Sequence, residues 1–144
     1  MHTLYDNARV LTLGTSGMVT NGGTFGAPAL YIQAGFAEYH NVLLVGSGSA
    51  AANGTLNVWQ GTDSSGGSAK IVTGASLNFG TSGTAWGITV KSDQLDIANN
   101  YQFLSAVGTT PASGTYWVGL AIVSTSPRSV PGTSGLSGSV FVVS

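Results

Sequence analysis

Leu56 to Gly67 reads LNVWQGTDSSGG, and its last seven residues hold an acid, two serines and three glycines, packed as closely as in many catalytic or phosphate-binding loops. A phosphate cradle needs a lysine and the start of a helix beside the glycines, and neither follows here. A serine hydrolase needs a GxSxG elbow with a histidine and an acid behind it, and no GxSxG occurs. His2 and His40 are the only histidines. Glu38 and His40, two apart on an extended segment, face the same way as two metal ligands would, but no third ligand lies nearby in the sequence. Asp93 and Asp96 in KSDQLDIANN have the residue types of a calcium loop or of a glycosidase acid pair. Neither alternating oxygen ligands nor a second acidic cluster accompanies them, so the stretch reads as a polar surface turn. GxxxxGK[ST] and GxGxxG are both absent. No catalytic residue, cofactor site or metal site is therefore expected, and the reading is a protein that is not an enzyme.

The elements around these residues are short and β-like. Twenty-two glycines and abundant Ser and Thr separate brief apolar runs, with no long amphipathic helix. Strands are expected over 9–13, 29–33, 41–46, 55–60, 69–73, 85–91, 101–107, 116–124 and 139–143. Nine short strands predict an all-β domain, an antiparallel β-sandwich or jelly roll. Alternation turns Leu56 and Val58 inward and leaves Trp59 outward; in 85–91 it turns Trp86, Ile88 and Val90 inward. Val42 to Val45 and Tyr116 to Val123 are apolar on both faces, as in central strands or strands covered by a second layer. Trp117 lies opposite the face of Tyr116, Val118, Leu120 and Ile122. GTSG recurs at 14–17, 80–83 and 132–135 at unequal intervals, which makes it turn chemistry and no repeat. Asn53-Gly54-Thr55 matches a glycosylation sequon and reads as a turn.

Three regions emerge: a glycine-rich N-terminal arm over 1–28, a sandwich over 29–126, and a Pro/Gly/Ser linker with a last strand over 127–144. That last strand has two options, its own sheet or a neighbouring subunit. Truncation of either end is expected to weaken assembly more than folding of the middle.

Charge is the most unusual feature. Four Lys plus Arg and five Asp plus Glu make up 6% of the 144 residues, against about 25% in ordinary soluble domains. A monomer of this size exposes about 7,000 Å², so one charge serves roughly 800 Å². Scattered cations exclude a basic stripe for nucleic acid and a polybasic contact with anionic membrane. No apolar run reaches the length of a transmembrane helix, and Met1 to Val10 is too polar for a signal peptide. With a net charge of -1, little self-repulsion keeps copies apart. Candidate interface residues are the aromatics Trp59, Trp117, Phe25, Phe36 and Phe141, since large aromatics concentrate at buried interface centres.

The stretch NVLLVGSGSAAANGTLNVWQGTDSSGGSA, followed by WGITVKSDQLDI, YQFLSAV and GLAIVSTSPRSVP, resembles the small β-sandwich or jelly-roll virion proteins of tailed bacteriophages. The likeness covers 41–131 and rests on a pattern of strands and loops. It implies a capsid decoration or minor capsid protein that binds the major capsid protein on the outer head shell, commonly as a homotrimer. It also implies synthesis in the host cytoplasm and residence in the virion. The two ends depart from the pattern. A different class also fits the composition: a carbohydrate-binding or adhesin-like module in which Trp59, Trp117 or Tyr116 stacks on sugar rings. A tail or neck component of a phage particle is a third option.

Overall fold

The computed structural model describes residues 8–12, 17–20, 22–26, 31–35, 37–49, 53–80, 85–111, 115–125 and 138–142. For 8–12, 17–20, 47–49, 125 and 138–142 it describes the backbone alone. Among these residues lie eleven strands: β1 (Ala8–Thr12), β2 (Gly17–Thr20), β3 (Thr24–Gly26), β4 (Ile32–Gln33), β5 (Tyr39–Ser49), β6 (Gly54–Gly61), β7 (Lys70–Phe79), β8 (Ala85–Lys91), β9 (Phe103–Thr109), β10 (Thr115–Thr125) and β11 (Gly138–Val142). Two 3-10 turns, Ser92–Gln94 and Ile97–Asn99, join β8 to β9.

The strands form two sheets. The larger has the order β1-β10-β5-β8-β11, with β2 following β1 along the same edge of β10. The smaller has the order β3-β9-β6-β7, with β4 following β3 along β9. Counting β1 with β2 and β3 with β4 as two interrupted strands leaves nested antiparallel pairs: β1/β2 with β10, β3/β4 with β9, β5 with β8, β6 with β7. Such a rolled-up long hairpin is the jelly roll, and β11 is added to it parallel to β8. The expected all-β sandwich is therefore the observed architecture.

Alternation builds the core. Leu56 and Val58 from β6, Ile88 and Val90 from β8, Val42 and Leu44 from β5, Leu104 from β9 and Ile122 from β10 are all 0% exposed. At one end of the sandwich Phe79 sits edge-on to Phe25 and Tyr116, with ring centroids 5.8 and 5.6 Å away, and tilted against Trp86 at 5.7 Å. Gly54 must be glycine there, because a Cβ would overlap the Phe79 ring.

Two expectations change, and one open choice is resolved. Within 1–28 the described residues are built into the sandwich: β1 and β2 join the large sheet and β3 the small one. β1 overlaps the expected strand 9–13, whereas β2 and β3, of four and three residues, are too short to show a period. Of the two options for the last strand, β11 takes its own sheet, pairing with β8. Finally, β7 runs to Phe79, well past the expected residue 73, because Gly74 at φ +79° shifts the register against β6 without ending the strand.

Candidate functional site

The residues with potential chemistry gather at the end of the sandwich opposite the aromatic cluster. His40 on β5 is 0% exposed. Its Nε2 lies 3.2 Å from the carbonyl oxygen of Ala34 and 2.9 Å from Ser92 Oγ, and its Nδ1 lies 2.7 Å from Ser124 Oγ. A carbonyl only accepts, so Nε2 carries the proton, and Nδ1 accepts from the Ser124 hydroxyl. Ser92 Oγ in turn donates to the carbonyl of Ala37 at 2.6 Å. The Ser92 proton is thus aimed away from the imidazole, which cannot act as its base. Ser124 is oriented like a nucleophile beside a base, yet it is 1% exposed and out of reach of a substrate. The cluster ties the 34–37 loop, β5, β10 and the turn after β8 together. Burial lowers the His40 pKa to about 4. Glu38 is exposed and His40 buried, so the two do not form the metal pair that their spacing allows. Among the described residues no group of three or more His, Cys, Asp or Glu is placed to hold a metal.

The DSSGG stretch is a bend. Asp63 Oδ1 accepts from the backbone N–H groups of Ser65 at 2.8 Å and Gly67 at 3.0 Å, and these bonds lower its pKa. Gly66 at φ +80° lies against the ring of the buried Tyr31. Asp96 pairs with Lys70, and Asp93 pairs with Lys91 at 2.9 Å, each pairing lowering the carboxyl pKa and raising that of the amine. Both pairs are solvated and contribute little to stability. Buried Gln60 anchors the turn region by accepting from the Asp96 backbone N–H at 2.8 Å.

Every described charged residue lies at this end. Glu38 precedes β5, Lys91 ends β8, Asp93 and Asp96 follow it, and Asp63 and Lys70 flank the β6–β7 bend. Arg9 on β1 pairs with Ser124, the neighbour of His40. The remainder of the described surface is uncharged.

The outer face of the large sheet follows the same gradient. Toward the charged end, Thr89 Oγ1 donates to Asn41 Oδ1 at 2.9 Å and Asn41 Nδ2 donates to the Val123 carbonyl at 3.1 Å, so these polar groups are spent on each other and on backbone. Toward the aromatic end the face is apolar. Trp117 is 60% exposed and Val45 58% exposed, with Leu43, Gly119 and Ala121 around them in adjacent rows of β5 and β10.

The expected interface aromatics separate. Trp117 lies open on this face. Trp59 is on the outer face of the small sheet, half-buried, in a row with Ile71 and Ser105. Phe25 does not lie open on a face: at 3% exposure it packs in the core. Tyr116, a candidate sugar-stacking residue, is likewise core at 1% exposure. Both point inward because the sheet pleat turns them toward Phe79. Phe36 lies outside the described residues, and Phe141 is described only as a backbone position in β11. Val45 was legible as part of the run apolar on both faces, whereas the His40 cluster left no sequence signal, its partners lying 52 and 84 residues away.

No protein-family model matches the chain, and no curated protein does. Among solved structures, infectious bursal disease virus, Gx strain, aligns at 14% identity and a TM-score of 0.44, over 84% of this chain and 32% of that one. This chain thus spans about a third of that virus chain. BiXyn10A CBM1 in its apo form aligns at 12% identity and a TM-score of 0.39, over 85% and 83% of the two chains. Tobacco streak virus coat protein aligns at 14% identity and a TM-score of 0.34, over 90% and 92%. At such identities and scores no function follows from the likeness.

Proposed function

We propose that the chain is a structural subunit of a virion, a capsid decoration or minor capsid protein that sits on the outer head shell and reinforces it. One observation carries the reading: the described charged residues are confined to one end, leaving a described sheet face that is uncharged and apolar around an exposed Trp117. A patch of that kind on a soluble chain serves as a contact surface. The strand and loop pattern of 41–131 supports the same role. Jelly rolls serve capsids and lectins alike, so the surface decides and the fold does not. The test is to add the purified protein to capsids that lack it and to locate it by electron cryomicroscopy. Saturable binding at symmetric positions on the shell is expected; failure to bind, or density confined to a tail or neck, sinks the decoration role.

A second reading rests on the small sheet, where Trp59 lies beside Asn57 and Thr55, a neutral mixture of ring and amide suited to stacking and bonding a sugar. A glycan array with the parent chain and Trp59→Ala decides it: absence of binding, or binding that the substitution leaves intact, removes this reading.

A further inference from the structure

Taking the outer face of the large sheet as the assembly surface, as proposed above, we infer that its occupant is a second copy of this chain, paired about a twofold axis that crosses β10 at Val118. Trp117 and Gly119 flank Val118 on the outer side of the sheet, since Val118 itself is buried at 4% exposure. Trp117 is a projecting ring and Gly119 a gap in the same row of side chains. An isologous contact requires the same patch to offer both a knob and a hollow. A twofold axis at Val118 lays each Trp117 over the Gly119 of the other copy.

Gly119 is open in the single chain. A Cβ built on it meets nothing nearer than the Val45 carbonyl oxygen at 4.0 Å. Packing within the chain therefore does not require glycine at this position, and its φ is not in the left-handed region. A hollow that the fold leaves open, beside an exposed tryptophan, fits a demand made from outside.

Charge agrees with this occupant, and size makes the contact a weak one. Val118 lies near the uncharged end, so a twofold axis there overlaps residues 115–121 of β10 and sends the two charged ends in opposite directions. Over β2, β10 and β5, the strands described across the overlap, seven residues at about 3.4 Å and three strand positions at about 4.8 Å give roughly 350 Å² per copy, or about 700 Å² in total, the size of a weak, transient contact. No described charge enters the overlap, so neither like-charge repulsion nor burial of an ion opposes it.

The test is sedimentation equilibrium on the parent chain, Gly119→Lys, Trp117→Ser and Ile71→Lys, with circular dichroism to confirm folding. The parent is expected to be a concentration-dependent dimer in the micromolar range. Gly119→Lys and Trp117→Ser should each weaken dimerisation at least tenfold while leaving the spectrum unchanged. Ile71→Lys, an exposed change on the other sheet, should dimerise like the parent. A parent that stays monomeric at high micromolar concentration overturns the pairing. So does a parent mass of three chains, or dimerisation indifferent to both face substitutions. Failure of the two proposals is distinguishable: a monomer that coats capsids removes the twofold contact and keeps the virion role, and a dimer through this face that binds no capsid does the reverse.

Discussion

His40 shows how a residue with catalytic potential becomes a structural one. Its ring is sealed, its tautomer is fixed by the Ala34 carbonyl, and one serine on each nitrogen completes the network. Protonation would force a charge into this site, so the folded pKa of about 4 lies below the ordinary 6.5. A depressed pKa means that the unfolded chain binds the proton first. Stability is full above pH 6.5, falls as pH drops toward 4, and levels off below it, a loss of about 3 kcal/mol. Urea titrations between pH 7 and pH 4 should show this loss, and His40→Gln should flatten the profile while lowering stability at pH 7. A profile equally steep in the variant would assign the acid sensitivity to the carboxylates, whose lowered pKa values act in the same direction at more acid pH. At the other end Phe79 is the matching apolar anchor, touching three aromatic rings. Phe79→Ala should cost about 3–5 kcal/mol in the same urea assay.

At the scale of elements, what the sequence reveals depends on how local each signal is. The strand with Leu56 and Val58 inward and the strand with Trp86, Ile88 and Val90 inward were legible because each carries its own period of two. The DSSGG bend was legible because Asp63 and Gly66 act within five residues. β2 and β3 were not, since each gains its stability from a partner about a hundred residues away, β10 and β9 respectively. The His40 cluster was hidden for the same reason. Integration of the first strands reverses the expected effect of truncation. Deleting 1–28 strips an edge from β10 and from β9 and removes Phe25 from the core. The shortened chain should lose its near-ultraviolet circular dichroism and cooperative melting and should aggregate through the bared edges. A truncated chain that melts cooperatively within a few degrees of the parent would restore the arm.

At the scale of the whole molecule, the jelly roll has two unlike ends: one with the aromatic cluster and the uncharged outer face, the other with the seven described charged residues and buried His40. The nested pairing produces this division. Each strand pair of the rolled hairpin runs the length of the sandwich, so residues placed at alternate turns of the chain collect at the same end. Sequence spacing hides the result, because the described charged residues are spread from Arg9 to Asp96. The consequence concerns how association responds to salt. A contact made by charges weakens as ionic strength rises and the screening length falls from about 10 Å at 0.1 M to about 3 Å at 1 M. A contact made by Trp117, Val45, Leu43 and Ala121 does not depend on that screening, and an excluded salt such as sulfate strengthens it. Sedimentation of the parent chain should therefore show association unchanged or tighter between 0.1 M and 1 M sodium chloride, and tighter again in sodium sulfate. Association that loosens tenfold over the chloride range would place the contact at the charged end, on the side of Lys70, Lys91 and their carboxylates, and take it off the tryptophan face.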